Sequence, residues 1–160
     1  MRDGVRLGID VGSVRVGVAR SDPRGLVATP LAPVAAGPDA IPTVAALARE
    51  SAAIEILVGH PVGLSGEPGR AASVAAEFAR ELAVAAPGIR VALLDERLTT
   101  VEATRRLREA GRDARQSRDA VDSASAVVIL HHALEIESRT GRPPGITVGR
   151  ARRSKRREVP

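Results

Sequence analysis

Two short segments near the N-terminus, Val5 to Asp10 and Val14 to Arg20, alternate apolar residues with small or polar ones, and only Val11-Gly12-Ser13 separates them. A period of two marks a strand with one covered face, and a tight turn at Gly12-Ser13 joins two such strands antiparallel. A chain that opens with a hairpin is committed to a sheet; the remainder decides what covers it. A third strand is expected between Leu26 and Val34, its far end placed on an edge by Pro30 and Pro33, which cannot donate to a ladder. Asp39 to Ser51 reads as a helix with Pro42 in its first turn, where a missing N–H costs little. Ile54 to Val58 is a continuous apolar run, as in a central strand covered on both faces.

A Gly/Pro loop from Gly59 to Gly69 leads to an alanine-rich helix that ends near Ala86, stopped by Pro87-Gly88, and Ile89 to Leu94 is another buried-type strand, ending in Asp95-Glu96. Thr99-Thr100-Val101-Glu102 has the spacing of a capping box and opens a helix to Ala110, closed by Gly111. Arg112 to Ser117 is polar. A last helix, from about Arg118 to Ser138, carries Val121, Ala124, Val128 and Leu134 at core spacing. Hairpin strands followed by alternating helix and strand describe an α/β domain, a mixed five-stranded sheet flanked by helices. A length of 160 residues suits one core and is too short for two. Residues 1–145 are expected to form that domain, and residues 146–160 a basic, flexible tail.

The net charge of +5 invites a nucleic-acid reading, but its distribution qualifies it. Arg150, Arg152, Arg153, Lys155, Arg156 and Arg157 face a lone Glu158, so the tail accounts for the whole excess and the body is neutral. Phe78 is the single aromatic residue, which excludes a stacking platform for unpaired bases; a nucleic acid would have to be held through its backbone. The absence of cysteine excludes disulfides, thiolate metal sites and a thiol nucleophile. With no signal segment and no apolar stretch of spanning length, the expectation is a soluble, cytoplasmic protein that does not engage a membrane.

Phosphodiester hydrolysis assisted by divalent metal needs carboxylates that converge from different elements, because hard cations take oxygen ligands. Asp10 ends an otherwise apolar strand beside Gly12, where the alternative is an acid that merely caps the hairpin turn. Asp95 and Glu96 end the last strand, at the carboxyl edge where open α/β sheets place working groups. Their side chains alternate, so one is expected to be a ligand and the other to pair with Arg97. Asp122 lies in the first turns of the last helix on the face of Ala126, Ile129 and Ala133, with Asp119 one turn earlier; the helix dipole alone would also favour an acid there. Between these acids stand Arg105, Arg106, Arg108, Arg112, Arg115 and Arg118, a phosphate-contacting stretch or a solvated helix face paired with Glu102 and Glu109. His131 and His132 are adjacent and read as surface or packing residues.

Gly8-Ile-Asp-Val-Gly-Ser-Val-Arg-Val-Gly-Val-Ala-Arg-Ser-Asp22, Val58-Gly-His-Pro61 with Gly66 and Gly69, Asp95-Glu-Arg-Leu-Thr-Thr100 with Ala103, and Asp122-Ser-Ala-Ser-Ala126 before Ile129-Leu130 together resemble the YqgF family of pre-16S rRNA nucleases, relatives of RuvC-type Holliday junction resolvases. The resemblance runs in order from Val5 to Leu134. It implies an RNase H-like fold, a Mg²⁺ or Mn²⁺ site, and trimming of the 5′ end of the small-subunit rRNA precursor, on RNA or on a ribosomal particle. Carried over, it makes Asp10, Glu96 and Asp122 catalytic and the same three, with Asp95 in reserve, the metal ligands; Arg15, Arg97, Thr99, Arg112, Arg115 and Arg118 are the nucleic-acid contacts expected beside them. Val14 stands where the family usually has a basic residue, and His60 where an apolar one usually precedes the proline. The alternatives are a resolvase of branched DNA, a noncatalytic rRNA-binding assembly factor docking through its arginines, and an actin-like ATPase, which would need a second domain. The chain could act as a monomer or a homodimer.

Overall fold

The computed structural model describes residues 1–62, 69–96 and 122–149. In chain order its elements are β1 (Arg6–Val11), β2 (Arg15–Ser21), β3 (Ala28–Pro30), β4 (Val34–Ala35), α1 (Ala40–Glu50), β5 (Glu55–His60), α2 (Arg70–Ala85), β6 (Arg90–Asp95), α3 (Ala124–Thr140) and β7 (Ile146–Thr147). β1 and β2 form the expected hairpin, with Asp10 opposite Gly17, and the Gly12 N–H donates to the Arg15 carbonyl at 3.0 Å across the turn. The sheet runs β3-β2-β1-β5-β6-β7, with β4 also on β2. β1, β5 and β6 are mutually parallel and the outer pairings antiparallel, so the sheet is mixed. The helix expected at Thr99 to Ala110, the arginine stretch and the start of the last helix lie outside the described residues.

Two details differ from the expectation. The third strand is split into β3 and β4, both paired to β2, because residues 31–33, with Pro33 among them, interrupt the ladder. Order also continues beyond residue 145: Ile146 pairs with Leu93, Thr147 with Ala92, and the Val148 N–H donates to the Val91 carbonyl at 2.9 Å. The open edge of β6 would otherwise expose its backbone groups, and Gly145, at φ +77°, turns the chain back to cover them.

The strands alternate large residues on one face with small ones on the other. Leu7, Ile9, Val16, Val18, Ile56, Val58 and Val91 point into a core completed by Val44, Ala45 and Ala48 of α1 and Ala75, Ala79 and Leu82 of α2. The opposite face presents Gly8, Gly17, Ala19, Leu57, Gly59, Ala92 and Leu94, and α3 packs on it through Ala126, Ile129, Leu130, Ala133 and Leu134. A Cβ at Gly8 would lie 2.6 Å from the Leu130 Cβ and 2.8 Å from the Ala126 carbonyl, so glycine is what lets the helix approach so closely. Of the residues expected at core spacing in this helix, Leu134 is buried, Val128 is half-buried and Ala124 is exposed; the packed face is instead the one that continues from Asp122. No helix among the described residues is long and apolar enough to cross a membrane.

Both ends of α3 are tied down. At its start, the buried Ser123 hydroxyl accepts the Val18 N–H at 3.1 Å and donates to the Leu31 carbonyl at 2.8 Å, filling the break between β3 and β4. Near its end, Glu137 meets Arg2 at 2.8 Å and Arg6 at 3.2 Å. Glu55 joins the same cluster through Arg2 and Arg90, each at 2.8 Å. Arg6, Glu55 and Glu137 are buried, at 0, 0 and 1% exposure, and adjacent strand starts carry charges of alternating sign.

Burial pushes the Glu137 carboxyl upward, but the side-chain and backbone hydrogen bonds from Arg2 and the charge of Arg6 outweigh it and hold the group at about 2. Its contribution to stability is therefore complete above the ordinary glutamate value of 4.5 and is lost as pH falls toward about 2. Glu137→Ala removes the closer carboxylate of buried Arg6, leaving it Glu55 at 3.8 Å, and should cost about 3 kcal/mol in urea unfolding, flattening the acid limb of the stability profile over that window. Ser123→Ala leaves the Val18 N–H and the Leu31 carbonyl without their partner and should cost about 1–3 kcal/mol in the same measurement.

Candidate active site

The end of the sheet away from the buried ion cluster holds the acids singled out in the sequence. Asp10 is on β1, and its side chain follows Gly8 onto the face covered by α3, because residues two apart share a face. Glu96 follows Asp95 at the end of β6, two residues beyond Leu94, which packs against Ile129 of α3. Strand β5 lies between these two strands, and Gly59 occupies the intervening position. A Cβ there would collide with Glu96 Oε1 and Ile129 Cδ1. Gly59 therefore opens the space through which the Glu96 carboxylate reaches over β5 toward Asp10. Gly59 has no role assigned by the motif Val58-Gly-His-Pro61 alone; a glycine at the end of an otherwise apolar strand is the signal that marks such a close approach.

The electrostatics follow from this placement. Burial pushes the Asp10 carboxyl above its ordinary range. Burial also raises Glu96, and the charges of Asp10 and then Asp95 raise it further. Among the described residues no cation is paired with Asp10 or Glu96. Strand alternation directs Asp95 to the side of Leu93 and the α1/α2 layer, so the pleat separates the two neighbouring acids and puts Glu96 with Asp10.

Asp122 immediately precedes Ser123, and its backbone sits over the hairpin: its carbonyl oxygen is 3.2 Å from where a Cβ of Gly17 would lie. Gly17 is the residue opposite Asp10. The Asp122 carboxylate turns toward the hairpin tip, where its Oδ1 meets Arg15 Nη1 at 3.1 Å. The three acids thus share one corner of the molecule, with two coupled directly and the third held by an arginine. Among the described residues no three Asp, Glu or His side chains are grouped closely enough to hold one metal ion. His131 faces Glu135 at 3.9 Å, one turn along α3, and burial lowers the affinity of His132 for a proton. Arg97, Thr99, Arg112, Arg115, Arg118 and Asp119 lie outside the described residues.

With this geometry established, comparison with known proteins is informative. A family profile described as "RuvX: Holliday junction resolvase" matches residues 4–136. A protein of Thermobifida fusca (strain YX), named "Putative pre-16S rRNA nuclease", is 46% identical over 152 residues that cover 91% of this chain and 96% of that one. A protein of Clavibacter sepedonicus with the same name is 47% identical over 155 residues, covering 95% and 96% of the two chains. Among solved structures, Thermus thermophilus RuvC in complex with a Holliday junction substrate superposes with a TM-score of 0.59 at 18% identity, over 91% of this chain and 99% of that one. The fold is RuvC-like, the α/β, RNase H-like arrangement expected from the sequence. The profile spans most of the chain and the relatives span nearly all of it at close to half identity: the chain belongs to the RuvX family, also called YqgF.

Proposed function

We propose that this protein is a divalent-metal-dependent nuclease that hydrolyses phosphodiester bonds in structured RNA, acting in the cytoplasm on the 5′ end of the small-subunit rRNA precursor. The observation that carries the reading is the Asp10–Glu96 pair: two carboxylates from different strands, half-buried, electrostatically coupled and without a protein cation among the described residues. Folding would not leave two acids so placed for the sake of stability, and a docking surface has no use for them. The name shared by relatives at 46 and 47% identity supplies the substrate class.

The donor set fits a hard cation, since both groups offer oxygen alone and a cation would relieve both the desolvation and the repulsion. Asp10 and Glu96 would hold Mg²⁺ or Mn²⁺; Asp122, whose backbone lies over Gly17 at the same corner, would join them once its carboxylate leaves Arg15. When bound, such an ion activates water and stabilises charge on the scissile phosphate. Glu96 holds its position because Gly59 leaves room and Ile129 packs beside it. Asp10 is fixed by the β1–β2 ladder, and Arg15 stands at the exposed hairpin tip, where a backbone phosphate can reach it. The basic run from Arg150 to Arg157 would help gather a polyanion through its charge.

Asp10→Asn should abolish Mn²⁺-dependent cleavage of a 5′-extended precursor rRNA fragment while leaving the far-UV spectrum unchanged. Groups that merely support a metal ligand are worth about 10- to 100-fold, so loss of a ligand should exceed about 100-fold, and retained activity would refute the assignment. The family description favours branched DNA as a second substrate. Preferential cleavage of a four-way junction over the rRNA fragment would move the assignment there.

The raised carboxyls make a separate statement about stability. Over the range between ordinary and raised titration, the native state keeps protons that the unfolded chain has released, so stability falls as pH rises through that window. Glu96→Gln removes the penalty. In EDTA near neutral pH its Tm should lie above that of the wild type, whereas added Mn²⁺ should stabilise the variant less than the wild type. An unchanged or lower Tm in EDTA would contradict the electrostatic account.

A further inference from the structure

The Asp122 carboxylate would be expected to turn toward Asp10, since its backbone lies over Gly17, the residue opposite Asp10 in the hairpin. It turns instead to Arg15, at 3.1 Å. Arg15 stands at the first position of β2, beside the turn, with 59% of its side chain exposed, while the Asp122 side chain is 26% exposed. The neighbouring Ser13 and Val14 are exposed as well, and among the described residues the guanidinium has no other ion-pair partner. The Asp122 backbone, by contrast, is fixed by the buried Ser123 beside it, which is bonded to Val18 and Leu31. The pair therefore joins an anchored carboxylate to a cation on a free tip.

We infer that Arg15 is a positioning residue that competes with the metal for Asp122 until a nucleic-acid phosphate draws the guanidinium away, so that Asp122 is more available to the metal when substrate is present. The inference rests on the metal-site reading given above. Its chemistry is an exchange of one charge-assisted pair for another: a guanidinium that holds a carboxylate through one nitrogen forms two parallel hydrogen bonds with a phosphate. An exposed pair of this kind contributes little on its own, which makes the exchange readily reversible. The consequence is coupling: nucleic acid that engages Arg15 tightens metal binding, and metal bound to Asp122 leaves Arg15 free for phosphate. It also explains why the described residues show two coupled acids rather than three.

The test is Mn²⁺ binding to the full-length chain without nucleic acid, read from the resonance of free Mn²⁺. Arg15→Ala should bind Mn²⁺ more tightly than the wild type, by roughly two- to fivefold, the worth of an exposed ion pair. Arg15→Lys, which keeps the charge on a shorter side chain that reaches Asp122 less well, should fall between them. In the Arg15→Ala, Asp122→Asn double variant the gain should disappear. A residue that only braced the hairpin would weaken or leave unchanged the affinity when removed, so tightening is specific to the exchange. Asp10-dependent Mn²⁺ binding with no gain in Arg15→Ala would overturn the exchange and leave the metal site standing. Absence of any Asp10-dependent binding would overturn both.

Discussion

The close contact between α3 and the small-residue face of the sheet is the constraint on which the rest depends. Gly8, Gly17, Ala19 and Gly59 strip one side of the central strands of bulk, so the helix approaches to near backbone contact and carries Asp122 to the edge of the hairpin. Larger residues at these positions would lift the helix, and the strand acids would face solvent with nothing across from them. The opposite face can be filled with ordinary branched residues because it has only to cover α1 and α2.

That same face carries two sets of ionisable groups at opposite ends, and the contrast between them separates structure from function. At the strand starts, Arg2, Arg6, Glu55, Arg90 and Glu137 form a cluster in which each buried carboxylate has at least two arginines, and depressed titration of Glu137 reflects it. Such a cluster fixes register, since sliding one strand by a residue would leave a buried charge alone. At the strand ends, Asp10 and Glu96 are desolvated, the charge of Asp10 adds to the raising of Glu96, and neither is paired with a cation among the described residues. Burial without pairing is costly, and that cost is the ground on which the metal-site proposal stands.

The body of the chain is neutral, which bears on how a polyanion could approach a pair of acids. Arg15 offers one answer within the described structure. It stands exposed beside the acidic corner and pairs with Asp122, so on the proposed reading a phosphate would meet a guanidinium before a bare carboxylate. An acidic site screened by its own arginine repels a nucleic-acid backbone less than a bare one.

Much of the architecture was legible in the sequence because it depends on local pattern. The period-two alternation of Val5 to Asp10 and Val14 to Arg20, the continuous apolar run at Ile54, and the Pro87-Gly88 stop each express a backbone requirement that neighbouring residues satisfy. The candidate acids were legible too, as charges where an apolar strand should end. What only the tertiary structure decided was which of them meet. Asp95 and Glu96 are equivalent in sequence, and the pleat of β6 together with the vacancy at Gly59 assigns Glu96 to the side of Asp10. The buried ion cluster, the Ser123 bridge across the break in the third strand, and the Arg15–Asp122 pair join residues far apart in the chain. Pattern along a chain reports which way a side chain faces within its own element; which partner it meets is set by how separate elements pack, and no local periodicity encodes that.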